Sequence, residues 1–184
     1  MRHVRPWVAL FGLTTLIAVI VCVLAIDRHS QAADDSTAAK LVGAWRLISI
    51  EERDAEGRLV TPLDYGPEPI GLLIYTATGQ MSAQAMRRGR PHLPSDDVHL
   101  APAEQAKAAL VGYNAYFGRY EVRAAEGLII HHVEGSMIPN WEGGEQPRHF
   151  TLHGDRLTLE PPPIQAAGHQ HTRRLTWQRV AGSG

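Results

Sequence analysis

Residues 116–160, YFGRYEVRAAEGLIIHHVEGSMIPNWEGGEQPRHFTLHGDRLTLE, hold four alternating apolar–polar runs separated by turn signals. The runs are Tyr116–Arg123, Leu128–Ser136, Arg148–His153 and Arg156–Glu160. Pairing Arg123 with Leu128 across Ala124–Gly127 sets Tyr120 opposite His131 and Val122 opposite Ile129. Gly154-Asp155 is a two-residue turn, so His153 faces Arg156 and Leu152 faces Leu157. Pairing Ser136 with Pro147 puts Val133 opposite Phe150 and His131 opposite Leu152. The three registers agree on one inner face: Tyr120, Val122, Ile129, His131, Val133, Phe150, Leu152, Leu157 and Leu159. Arg119, Glu121, His132, Glu134 and Thr151 then point outward. A bulge in the first hairpin exchanges His131 for His132, because a one-residue slip inverts every side chain.

Strand signals continue on both sides. Upstream lie Trp45–Glu52, the short Arg58–Thr61, Ile70–Thr76 and Gln80–Met86; downstream, after a loop at Pro161–Gln170, lies His171–Val180. Residues Arg87–Ala101 read as a long polar loop. One helix follows it, with Pro102 at its first position, Glu104 in its first turn and Ala106, Ala109, Leu110 and Tyr113 on one face. Nine short strands, tight turns and one helix predict an all-β, antiparallel barrel of about 8–10 strands.

The 184 residues carry 18 basic and 19 acidic side chains. That balance argues against a nucleic-acid binder, which needs a basic face to displace counterions. A single cysteine, Cys22, precludes internal disulfides and multi-cysteine zinc sites. It follows Ile20-Val21 rather than a small residue, so it reads as apolar filler and not as a lipidation site. Trp7–Ile26 is an uncharged run of twenty residues after Arg2 and Arg5. As a helix it spans roughly 30 Å, the thickness of a bilayer core. Ser30-Gln31-Ala32 offers a cleavage site. Residues 1–32 therefore read as a signal peptide or membrane anchor, residues 33–40 as a linker and residues 41–180 as the barrel domain. Either way the barrel is extracytoplasmic: membrane-anchored, or secreted or periplasmic if the signal is cleaved near Ala32. From Ala33 onward 15 basic and 18 acidic residues remain, so the domain has no pull toward anionic lipid.

Gly43-Ala44-Trp45 opens the first strand with the Gly-x-Trp that marks lipocalins. Longer stretches are more specific: Leu41–Ser49 (LVGAWRLIS), Pro69–Arg87 (PIGLLIYTATGQMSAQAMR), Tyr116–Val122 (YFGRYEV) and His131–Trp141 (HHVEGSMIPNW). Together they resemble the lipocalin-like domain family of bacteria and fungi. The resemblance covers Leu41 to Val180 and implies a barrel with an internal cavity. It also implies that Trp45 closes the base, with Arg173 or Arg179 packed on it by a cation–π contact. It brings no catalytic residue with it.

The candidate site residues are polar or aromatic groups on the inner face. Tyr120 and His131 are cross-strand neighbours: a core hydrogen bond, a polar anchor for a ligand, or an acid–base pair. Arg148 falls on the same face opposite Gly135, able to bind a carboxylate or enol oxygen or to reach solvent at the rim. Trp141, beside Asn140, reads either as a lid over the mouth or as outer packing. Phe150, Val133 and Leu157 supply walls. Tyr75, Gln84 and Met81 depend on the turn at Ala77–Gly79: a three-residue bulged turn places Tyr75 and Met81 on one face, and a four-residue turn pairs Ile74 with Met81.

Metal chemistry lacks a framework. His131 and His132 point to opposite faces, and His149 and His153 are about 13 Å apart along one strand. His169 and His171 alone make a poor site. No metal and no cofactor is expected. The runs Arg87-Arg88-Gly89-Arg90 and Glu51-Glu52 read as solvated surface. P-loop, Gly-x-Gly-x-x-Gly and Gly-x-Ser-x-Gly motifs are absent from the sequence. The expected function is binding of a small hydrophobic or amphipathic molecule in the barrel. The alternative is a cofactor-free isomerase, cyclase or dehydratase with His131 as base and Tyr120 as acid.

Overall fold

The computed structural model describes residues 28, 30–166 and 168–182. The apolar run Trp7–Ile26, read as a signal or anchor, lies outside them. Among the described residues no helix is long and apolar enough to cross a membrane.

A helix α1 (residues 30–41) precedes the strands. They are β1 (Gly43–Arg53), β2 (Leu59–Val60), β3 (Ile70–Tyr75) and β4 (Gln80–Met86), then, after helix α2 (Ala103–Val111), β5 (Tyr113–Arg123) and β6 (Leu128–Ser136). The chain ends in β7 (Glu145–His153), β8 (Arg156–Glu160), β9 (Ile164–Ala166) and β10 (His169–Arg179). Strands β1, β3, β4, β5, β6, β7, β8 and β10 pair antiparallel in that order, and β10 pairs back onto β1. The result is a closed eight-stranded barrel, with β2 and β9 added at β1 and β10.

Four tight connections lie at one end: the β3–β4, β5–β6 and β7–β8 turns and the entry from α1 into β1. The four long ones, including β2, α2 and β9, lie at the other. The barrel is therefore shut at the first end and open at the second.

Helix α1 is part of the shut end. Residues 33–40, read as a linker, are helical because Ala33, Ala38, Ala39 and Lys40 favour helix despite their polar neighbours. The Asp34 carboxylate accepts the Ala124 N–H at 2.6 Å, which ties the helix to the β5–β6 turn. Below it Trp45 is 0% exposed and donates its indole N–H to the Leu41 carbonyl at 2.9 Å. Of the two arginines expected near Trp45, Arg179 lies over its ring at 4.1 Å, and Arg173 lies instead over Tyr65 at 5.2 Å. Arg179 also donates to the Val42 carbonyl at 2.8 Å. Gly43 permits this contact. Its φ is +134°, and a Cβ there meets the Arg179 guanidinium at 3.0 Å.

The β5–β6 and β7–β8 registers are those expected from the sequence: Tyr120 faces His131, and Leu152 faces Leu157. The β6–β7 register is not. Leu128 pairs with His149 and His131 with Gln146, six residues from the expected pairing. A one-turn 3-10 helix at Pro139–Trp141 and backbone bonds between Val133 and Gly143-Gly144 fold the connection back on itself. Six is even, so the inner face survives the slip. Arg148 accordingly sits opposite Ile129 and not Gly135. Tyr75 faces Met81, as the three-residue turn requires.

Candidate functional site

The open half of the barrel encloses a cavity of about 740 Å³, within the range for small-molecule pockets. Its inner walls include Leu73, Ala83, Ala85, Tyr116, Leu159 and Trp177, and its floor carries His131 and Arg148. The mouth is framed by Tyr65, by Leu110 and Val111 of α2, by Ile138 and Trp141, and by Pro161-Pro162-Pro163. Apolar residues reach these places because strand alternation turns every second side chain inward. Alanines at 83 and 85 leave space that larger residues would fill.

His131 is 0% exposed, and each of its nitrogens has a tyrosine partner. Nε2 lies 2.7 Å from the Tyr75 hydroxyl and Nδ1 lies 2.8 Å from the Tyr116 hydroxyl. Burial pushes the His131 pKa well below 6.5, and the Arg148 charge adds to the effect. The imidazole is thus neutral, with one N–H. Burial likewise pushes the Tyr75 phenol well above its ordinary value, so it keeps its proton.

The tautomer follows from what surrounds the two tyrosines. Tyr75 is 1% exposed, packs its ring on Tyr120 at 4.6 Å and does not border the cavity. Were its O–H not donated to Nε2, it would be an unpaired buried donor, costing about 1–3 kcal/mol. Tyr116 does border the cavity. The favoured arrangement therefore has Tyr75 donating to Nε2 and Nδ1–H donating to Tyr116. That leaves the Tyr116 O–H for the cavity. Nitrogen-15 NMR of labelled histidine at neutral pH checks this: His131 is expected to show a protonated Nδ1 and a bare Nε2. A protonated Nε2 would contradict it.

The other expected site residues divide. Trp141 is at the mouth, its ring edge-on to Tyr116 at 5.6 Å. Arg148 is inward and 8% exposed. Tyr120 is not a cavity residue. Its hydroxyl donates to the Thr76 carbonyl at 3.0 Å, on the shut side of Tyr75, so it makes no acid–base pair with His131. Phe150 and Leu157, beside the β7–β8 turn, and Val133 on β6 pack in the core, and none of the three borders the cavity. Gln84 borders the mouth with its side chain exposed and accepts the Tyr113 hydroxyl at 2.9 Å. His132 faces outward, near Glu121 and Glu145.

Two groups read as solvated surface belong to the open end. Glu52 is 0% exposed, with Arg173 at 2.6 Å and His171 Nδ1 at 2.7 Å, and Arg173 continues to Asp64 at 2.9 Å. A β-bulge between Leu47 and Ser49 shifts the alternation of β1 and turns Glu52 inward. Arg87 donates to the Leu63 and Asp64 carbonyls, and Arg90 to the Ala109 carbonyl at 2.9 Å, which fasten the rim loops to one another. Tyr116 is a cavity residue that is absent from the candidates taken from the sequence. Counting back by twos from Tyr120 places it on the inner face.

The description "Lipocalin-like domain" belongs to the family model that matches residues 42–180. The chain is a member of the lipocalin-like domain family. The eight-stranded barrel, the Gly43–Trp45 entry and the Arg179 contact are what the sequence resemblance implied. This lipocalin-like chain is also 34% identical over 107 residues to an Aspergillus oryzae protein named 4'-hydroxy-3'-methoxypropiophenone carrier protein. The match covers 54% of this chain and 96% of that relative.

Proposed function

We propose that the protein binds a small, mainly apolar molecule in the barrel cavity and acts as its carrier. The observation that carries this reading is the 740 Å³ cavity, walled by apolar and aromatic side chains with Tyr116 and Arg148 as polar groups. The name of the Aspergillus oryzae relative, a carrier of an aromatic ketone, supports the same class of role. The apolar run Trp7–Ile26 behind Arg2 and Arg5 supports a barrel held outside the cytoplasm, tethered or released. Acid–base catalysis by His131 and Tyr120 draws no support, since both His131 nitrogens are engaged by other tyrosines.

Titration of the full chain with Nile red, a neutral fluorophore, tests the reading. Saturable binding at one dye per chain is expected. Ala83→Phe combined with Ala85→Phe, both pointing into the void, is expected to weaken it at least tenfold while circular dichroism stays unchanged. Equal binding by the variant would place the dye elsewhere and overturn the reading.

A further inference from the structure

The cavity contains a positive charge that the protein does not neutralise. Arg148 donates to the Pro147 carbonyl at 2.8 Å and to Gln146 Oε1 at 3.2 Å, both neutral acceptors. Among the described residues no carboxylate is within ion-pair distance of it. The acidic groups bordering the same cavity are engaged elsewhere: Asp64 pairs with Arg173 at 2.9 Å, and Glu145 approaches His132 at 3.4 Å on the outer face. A guanidinium is always charged, and burying a charge without a counter-ion costs several kcal/mol. Two of its five N–H groups are used by the protein, which leaves three for an occupant.

A second donor stands on the same side. His131 pairs with Gln146, so Arg148 is its diagonal neighbour on the inner face. The Tyr116 hydroxyl, on His131 Nδ1, has its own O–H free for the cavity. We infer that the occupant is an organic monocarboxylate, its carboxylate held by Arg148 and Tyr116 and its apolar body against Leu73, Ala83 and Trp141. The flat guanidinium fork matches a carboxylate with two parallel N–H···O bonds. A phosphate monoester would set up to two negative charges against one cation among apolar walls and leave the excess unpaired. This inference rests on the cavity reading above and adds the head group to it.

Calorimetry on the full chain with naphthalene-2-carboxylate and naphthalene-2-carboxamide separates charge from shape. The acid is expected to bind at least tenfold more tightly than the amide. Arg148→Gln is expected to weaken the acid at least tenfold and so remove that preference. Arg148→Met guards against a purely structural role. Without ligand its thermal midpoint is expected to match or exceed that of the natural chain, because an unneutralised charge is gone. Naphthoate, which raises the natural midpoint, is expected to leave that of the variant unchanged. Equal binding of acid and amide, a preference that survives Arg148→Gln, or a lowered midpoint for Arg148→Met overturns the inference. Nile red binding without acid preference sinks this inference alone. Loss of Nile red binding as well removes the cavity reading, and this one with it.

Discussion

Replacing Trp45 by alanine is expected to cost about 3–5 kcal/mol, the range for truncating a buried large aromatic. Trp45 is 0% exposed, and its ring is covered by Arg179 at 4.1 Å. Its indole N–H bond to the Leu41 carbonyl links α1 to the barrel. Truncation thus opens a void, removes that bond and frees the arginine that also holds the Val42 carbonyl. Small domains are stable by only about 5–15 kcal/mol, so the loss takes a large share. Urea unfolding measures it. Trp45→Phe, which keeps most of the apolar surface, is expected to lose about half as much. A loss below about 1 kcal/mol for Trp45→Ala would mean that the shut end does not depend on this residue.

Acid is expected to weaken the protein through His131. The unfolded imidazole titrates near 6.5, and burial holds the folded one well below that. Below the unfolded value the unfolded chain takes up a proton that the folded chain refuses. The stability that His131 contributes is therefore whole above about pH 6.5 and falls as pH drops from there toward the folded pKa, by about 1.4 kcal/mol per pH unit. Between pH 7 and pH 5 the stability is therefore expected to fall. His131→Phe is expected to be less stable at pH 7, because it strands the Tyr75 and Tyr116 hydroxyls. It should also lack this slope. Urea midpoints for both proteins across that range check the difference. Parallel pH profiles would contradict a buried neutral His131.

Much of the fold was legible because strand alternation is local. Tyr120, Val122, Ile129 and His131 fell on one face from turn lengths alone. Arg148 stayed on that face even though its strand slid by six residues, because an even slip preserves parity. The features that escaped depend on departures from alternation or on distant partners. Glu52 turns inward only through a bulge that no turn residue announces. Tyr120 reads as inward and Tyr75 as dependent on the turn at Ala77–Gly79, and which hydroxyl meets His131 depends on the stagger of three strands. Residues 33–40 look like a linker in composition, and it is the contact of Asp34 with the β5–β6 turn that ties them to the barrel. The unpaired charge of Arg148 requires knowing where every carboxylate goes, which is a property of the whole fold.

Native mass spectrometry of the full chain, purified from the organism that makes it, tests the central claim most directly. The account predicts a second species heavier by one small molecule per chain, lost on collisional activation and absent from the Ala83→Phe, Ala85→Phe variant. A natural chain and variant that both run at the bare polypeptide mass would contradict a barrel that carries a ligand.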